Sequence, residues 1–426
     1  MTTPPRTLCS HLPAATPGTA VTLEGWVHRR RELARITFVV LRDRSGLAQV
    51  VLPAGTPVPP EETTVRVTGT ATANEQAPGG TEVTDAVLEP LTEPAATSPA
   101  ELWRPSLDVS LPTLLEHAPV LWRHPAQRAR WQLAAASLRG FRSTLDGLGF
   151  TEVTTPKVVG TATESGANVF PVDWFGRPAY LAQSPQFYKQ QLVGVFERVY
   201  EVGPVFRAEP HDTVRHLAEY RSLDVELGFI RDHREVLAVL RDVLAGMVEA
   251  AASEEAAVAS TGASLPVVPD EIPVIHFADA LALVGAPADE PDLAPEHERA
   301  LGAWALAEHG SDFLAVEGYP MAKRPFYTHP QPGDQRWSNS FDLLFRGLEL
   351  VTGGQRLHRA SDYECAIRER GEDPVSYDAY LQAFRHGMPP HGGFAIGLER
   401  WVARLVRVAN IREVTLFPRD LNRLVP

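Results

Sequence analysis

Cysteine is nearly absent from this chain. Cys9 and Cys365 are the only two in 426 residues, too few and too isolated for a disulfide framework or a zinc site. His211, His216 and His391 have neither cysteine partners nor the HExxH spacing that would make them metal ligands. No apolar run is long enough to span a bilayer, and the opening MTTPPRTLCSHLP lacks the charged and apolar regions of a signal peptide. A cytoplasmic protein with no membrane contact is expected. Neither GxGxxG nor GxxxxGK[ST] occurs, which argues against a Rossmann or P-loop nucleotide site. Positive charge is also short: the net charge of -13 opposes indiscriminate nucleic-acid binding, so any RNA contact must be local. Lysine is the scarcest charged residue. Lys157, Lys189 and Lys323 stand against 37 arginines, as in a GC-rich genome where arginine replaces lysine wherever either serves, so a surviving lysine marks a place where only lysine serves.

At 44% hydrophobic the chain can bury a large core and should hold two domains or more. Residues 1–100 read as five short alternating strands, VTLEGWVHR, ITFVVLRD, LAQVVLP, TVRVTGTAT and TEVTDAVLEPL, the pattern of a small OB-type barrel that binds oligonucleotides on one face. A local basic cluster, His28, Arg29, Arg30, Arg31 and Arg35, lies there beside Phe38, a stacking ring, and Gln49, a hydrogen-bonding amide. A purely structural barrel is the blander reading. PAELWRPSLDVSLP then reads as a linker over 101–123. From His124 a helix is expected, with apolar residues at helical spacing, leading into TEVTTPKVVG, a strand broken by Pro156. The stretch 250–273 is low in complexity and points to nothing specific.

Two segments carry the chemistry. In FRAEPHDTVRHLAEYRSLDVEL, Arg207 and Glu209 sit two apart at the end of an apolar run, and strand alternation puts both on the same face. Arg215, His216, Glu219 and Tyr220 follow before alternation resumes, so the unit reads as strand, loop, strand with polar groups at its mouth. In GGFAIGLER, Gly392 and Gly393 would let backbone approach a phosphate or base, and a helix is expected from Trp401 to Val408.

These two segments resemble motifs 2 and 3 of the class II aminoacyl-tRNA synthetases. QSPQFYKQ, SFDLLFRGLELVTGGQR, GMPPHGGFAIGLER, LFPRDLNRL and GWVHRRREL extend the resemblance to the aspartyl branch, of the shorter archaeal and eukaryotic type, over nearly the whole chain. It implies an α+β protein: an OB-fold anticodon-binding barrel (1–100), a hinge (101–123) and a catalytic domain (124–426) whose mostly antiparallel sheet is flanked by helices. Motif 1 is expected near 126–160, where it would form a homodimer interface, motif 2 near 199–229 and motif 3 near 387–408. The implied reaction is ATP-dependent formation of an acyl-adenylate. Arg207 would serve the α-phosphate and the substrate carboxylate, Arg215 and His216 the phosphates, and Arg400 the γ-phosphate. Tyr220, Glu209, Leu217 and Gly397 would hold the adenosine side. Asp342, Glu349 and Thr352 are the expected Mg2+ ligands, the carboxylates brought together by a turn at Arg346 and Gly347.

The implied amino acid is L-aspartate. Lys189 and the fork of Arg356 would hold its side-chain carboxylate, two cations that favour a carboxylate over a neutral amide. Asp224 and Glu164 would receive its ammonium, with Gln186 completing the pocket. Asparaginyl relatives lack that lysine, which leaves an asparaginyl-tRNA synthetase as the nearest alternative; a tRNA-independent paralogue is the other. On the barrel, Arg29, Phe38 and Gln49 match positions that meet anticodon bases. Members restricted to tRNA(Asp) tend to carry tryptophan where this chain has His28 and lysine where it has Pro78. Charging of both tRNA(Asp) and tRNA(Asn) is therefore expected, with an amidotransferase acting on the mischarged product.

Overall fold

The computed structural model describes residues 5–160, 168–210 and 212–425, and the chain divides into two compact units, Met1–Pro125 and Ala126–Pro426. In the first, strands β1 (Ala20–Glu32), β2 (Ile36–Arg42), β3 (Leu47–Pro53), β4 (Thr64–Ala73) and β5 (Thr81–Pro90) close into a barrel of order β1-β2-β3-β5-β4. Alternate residues such as Leu23, Val39, Leu41, Val50 and Val67 fill its interior, as period-two patterning requires.

One irregularity decides what the barrel shows to solvent. Val27 pairs with Leu41, but Arg29 pairs with Val40, which makes His28 the extra residue of a β-bulge. Simple alternation would send Arg29 and Arg31 to the face of Val27. The bulge instead sets Arg29 opposite Val40 and Arg31 opposite Phe38, and Gln49 also pairs with Val40. Arg29, Phe38 and Gln49 thus share one face.

The segment read as a linker is folded. Helices occupy Leu111–Glu116 and Ala118–Leu121, with Leu114, Leu115 and Leu121 buried. Ser110 caps the first helix by accepting from the Thr113 N–H, and Pro112 sits in the first turn, where no N–H is needed. Proline here starts a helix.

The second unit is built on an eight-stranded sheet. Its strands, in chain order, are β6 (Thr151–Glu152), β7 (Arg198–Phe206), β8 (Glu219–Gly228), β9 (Val274–His276), β10 (Phe313–Glu317), β11 (Ser340–Phe345), β12 (Glu349–Gln355) and β13 (His391–Gly397). They run across the sheet as β9-β10-β11-β12-β13-β8-β7-β6. Only the outermost pairs, β9–β10 and β6–β7, are parallel; the rest are antiparallel. Helices Pro125–Gly147 and His233–Ala252 contribute Leu133, Phe141, Leu240 and Leu244 to a buried cluster shared with Leu223, Val225, Phe341, Val351 and Phe394 of the sheet. The low-complexity stretch belongs to this body: it ends one helix, forms another (Glu255–Thr261), and buries Ala251, Ala257 and Ile272. Among the described residues no helix is long and apolar enough to cross a membrane.

Candidate active site

A cavity of about 290 Å³ opens over the centre of this sheet, and fourteen of the residues singled out from the sequence line it: Gln186, Lys189, Arg207, Glu209, Arg215, His216, Leu217, Tyr220, Asp224, Glu349, Thr352, Arg356, Gly397 and Arg400. Glu164 lies outside the described residues. The hairpin is as expected: β7 and β8 pair antiparallel from Arg198↔Leu227 to Phe206↔Glu219. One further bond, Arg207 N–H to Ala218 carbonyl at 2.9 Å, extends it. Strand β7 stops at Phe206, so Arg207 and Glu209 reach the cavity from the chain beyond it rather than by strand alternation. The Arg207 guanidinium lies 5.7 Å from the Tyr220 ring centre.

At the floor is a buried chain of alternating charges. Lys189, almost wholly buried, puts its Nζ 3.1 Å from Asp224 Oδ1 and 3.3 Å from Glu226 Oε2, and it also donates to the Phe394 carbonyl at 3.2 Å. Arg356 donates through Nε to Glu226 Oε1 at 3.0 Å and through Nη2 to the Gly393 carbonyl at 3.1 Å. Asp224 accepts from Ser222 Oγ at 2.6 Å. Burial pushes the Glu226 carboxyl up, but Arg356 and Lys189 outweigh it and hold it below the ordinary carboxylate range. Two anions, Asp224 and Glu226, therefore face the two cations at this floor. Glu226 escaped the sequence reading although its signal was present: Ser222, Asp224 and Glu226 alternate along β8.

Gly392 and Gly393 also have a different task from the expected one. They lie within β13, where a Cβ at 392 would fall 2.6 Å from the Gly354 carbonyl and one at 393 would fall 2.1 Å from both Glu226 Oε2 and the Val225 carbonyl. Their bareness lets strands and the Glu226 carboxylate close up, not a phosphate approach. The helix that follows is Leu398–Leu405, three residues earlier at each end than the expected Trp401–Val408, with Gly397 at its N-cap.

That helix presents Arg400, whose Nη1 donates to the Glu349 carbonyl at 3.1 Å and lies 3.6 Å from Glu349 Oε1. Glu399, a lining residue not foreseen, is buried and receives the Arg221 N–H on both carboxylate oxygens at 3.1 Å. Burial pushes it up to about 7 against those donors. Glu298, on the helix Pro295–His309, accepts the Glu349 N–H at 3.1 Å and stands 3.7 Å from Arg215 Nη1. His216 Nδ1 meets Thr213 Oγ1 at 2.6 Å.

The carboxylates assigned to a divalent ion come together as the turn predicts. Arg346 and Gly347 take positive φ of 50° and 69°, folding β12 back on β11 so that Asp342 pairs with Thr352, while Thr352 Oγ1 lies 3.5 Å from Glu349 Oε1. Burial pushes Asp342 up to about 6; Arg324 pulls the other way and Glu349 adds to the rise. Asp342, Glu349 and the Thr352 hydroxyl thus bring together hard-oxygen donors of the kind a divalent ion such as Mg2+ accepts. Arg324, missed in the sequence, lies against this pair: its Nη2 is 3.0 Å from Asp342 Oδ1.

On the barrel, Arg29 is exposed, with its guanidinium 4.0 Å from the centre of the Trp103 ring. Phe38 is half-buried, and Gln49 donates to Glu82 Oε2 at 2.8 Å. His28 is not part of an exposed basic cluster. It is buried, with Nδ1 3.0 Å from Arg42 Nη1, and Arg42 in turn forks onto Glu62 at 2.9 and 2.8 Å. Burial and then Arg42 push His28 down to about 4. Pro78 is exposed, at the start of the turn Pro78–Gly80.

Comparison with known proteins agrees with this geometry. Residues 111–421 match the family described as tRNA synthetases class II (D, K and N), and residues 21–91 match the OB-fold nucleic acid binding domain. The aspartate--tRNA(Asp/Asn) ligase of Thermus thermophilus is 47% identical, covering 96% of this chain and 97% of its own. That of Deinococcus radiodurans is 45% identical over the whole of both chains. Among solved structures, asparaginyl-tRNA synthetase from Pyrococcus horikoshii, complexed with asparaginyl-adenylate, superposes with a TM-score of 0.90 at 30% identity, covering 99% of each chain. A putative aspartyl-tRNA synthetase from Leishmania major gives 0.87 at 28% identity, covering 99% of this chain and 95% of that one.

Proposed function

The chain belongs to the class II tRNA synthetases of the D, K and N group, and from that premise we propose how its cleft works. It is a ligase that activates aspartate with ATP and charges tRNA. L-Aspartate enters with its side-chain carboxylate toward Lys189 and Arg356 and its ammonium toward Asp224, Gln186 and Glu164. Arg207 lies between the substrate carboxylate and the α-phosphate, screening the two anions so that the carboxylate can attack in line. The adenine rests on Tyr220, with Glu209, Leu217 and Gly397 around the nucleoside, while Arg215, His216 and Arg400 take the outer phosphates. Mg2+ fits Asp342, Glu349 and Thr352, and when bound it would neutralise charge on the phosphate chain. The observation that carries this reading is that Lys189, Asp224 and Arg356 line the same cavity as Arg207, Tyr220 and Arg400.

ATP–pyrophosphate exchange without tRNA tests it. Exchange should depend on aspartate, and comparable exchange with asparagine overturns the pocket assignment.

The same enzyme is proposed to charge both tRNA(Asp) and tRNA(Asn), working as a cytoplasmic homodimer and handing the mischarged product to an amidotransferase. Support comes from the names of the relatives and from His28 and Pro78. Aminoacylation of the two transcripts decides it: a preference for tRNA(Asp) above about a hundredfold, roughly 2.7 kcal/mol, rejects relaxed specificity.

A further inference from the structure

Arg324 is a cation without a good hydrogen bond. It follows the turn Met321–Lys323, lies with its guanidinium 4.1 Å from the centre of the Tyr319 ring, and lines the cavity. Its Nη2 stands 3.0 Å from Asp342 Oδ1, an ion pair out of good hydrogen-bond alignment. Among the described residues, Arg324 Nε, Arg324 Nη2 and Asp342 Oδ1 are all buried with no hydrogen-bond partner. Buried donors and acceptors left in this state are costly, and the cost is borne by a residue that lines the nucleotide cavity. The carboxylates it faces, Asp342 and Glu349, repel each other and need a positive charge between them whether or not a metal ion is bound.

We propose that Arg324 is the resident counter-cation of the Asp342–Glu349 pair, competing with the divalent ion for Asp342 and yielding to it when its guanidinium is drawn to the phosphates of bound nucleotide. This rests on the reading of Asp342 and Glu349 as metal ligands. The poor alignment of the pair is then what makes the exchange possible: an arginine locked onto Asp342 by two good hydrogen bonds could not be displaced at moderate cost. The free enzyme is a weak metal binder by construction, and ion and nucleotide enter together.

The test is Mn2+ binding to the full-length, nucleotide-free enzyme, followed by electron paramagnetic resonance of the free ion. Arg324→Met, which keeps an unbranched apolar stem and removes the charge, should tighten Mn2+ binding by about tenfold or more. Arg324→Gln should shift in the same direction, and Arg324→Lys, which keeps a cation, should stay near wild type. Unchanged or weaker binding in Arg324→Met and Arg324→Gln overturns the proposal, as does tightening in Arg324→Lys equal to theirs. Asp342→Asn separates the two levels of inference. Loss of Mn2+ binding in Asp342→Asn with no tightening in the neutral Arg324 variants sinks the proposal and leaves the metal site standing. Wild-type binding in Asp342→Asn sinks both. Thermal melts of each variant, together with the second neutral substitution, keep the result readable if one of them fails to fold.

Discussion

Gly393 and Glu226 are partners across neighbouring strands, so close that a Cβ at position 393 would lie 2.1 Å from the Glu226 Oε2 atom. The glycine is the lid on a buried carboxylate, and that carboxylate ties Lys189 to Arg356. Gly393→Ala should therefore act as an overpacking mutation, costing about 1–3 kcal/mol of stability. It should also raise the KM for aspartate more than that for ATP, because the displaced group holds the amino-acid side of the cavity. Urea denaturation with substrate titrations of pyrophosphate exchange measures both; equal rises in the two KM values would detach Gly393 from the aspartate pocket.

Lys189→Gln removes the charge that faces Asp224 and Glu226 together. Breaking a buried pair from one side costs about 3–5 kcal/mol, so the melting temperature should drop, and aspartate activation should collapse while ATP binding survives. Near-wild-type activation of aspartate by the variant would show that the lysine is only a structural strut.

Glu317 provides a pH test away from the cavity. Burial pushes its carboxyl up, but hydrogen bonds from His233 at 2.7 Å and Arg234 at 2.8 Å outweigh it and hold it at about 2, down from an ordinary 4.5. A depressed carboxylate stabilises the fold above the unfolded value, and the benefit fades as the pH falls from 4.5 toward 2. Glu317→Gln should cost on the order of 2–3 kcal/mol at pH 7. The gap from wild type should hold at pH 5.5 and narrow at pH 4. A gap that widens on acidification contradicts the assignment.

Phe38→Ala should weaken tRNA charging by about 1–3 kcal/mol, the worth of a base-stacking platform, and leave pyrophosphate exchange unchanged. Equal losses in both assays would mean that the half-buried ring is needed for the barrel itself.

Much of the fold was legible because it obeys simple periods. The barrel strands alternate, the helix Pro125–Gly147 keeps its apolar residues at helical spacing, and the turn at Arg346–Gly347 is marked by its glycine. The cavity residues were legible through their resemblance to known motifs rather than through any period. What stayed hidden depends on contacts between distant segments. Glu226 looks like one more polar residue in a strand until Arg356 and Lys189 arrive from elsewhere, and Arg324 has no local sign that its partner will be Asp342. Gly392 and Gly393 carry the same composition whether they admit a phosphate or a neighbouring strand; only the position of Gly354 and Glu226 decides. Pro112 reads as a breaker unless Ser110 is recognised as the cap that turns it into a helix start.

The bulge at His28 works as a parity switch. Everything after it in β1 faces the opposite way from what the residues before it would dictate, and the arginine side of the barrel exists only because one residue is uncounted. Position 28 can therefore change identity without changing which side chains meet solvent. Deleting it would leave Val27 and Arg29 as chain neighbours in plain alternation, still opposite Leu41 and Val40, so Arg29 and Arg31 would keep their present face while the bulge disappeared. A natural or engineered one-residue gap there should keep the arginine face with no compensating gap in β2, whereas flattening the bulge with every residue retained would carry Arg29 and Arg31 to the face of Val27.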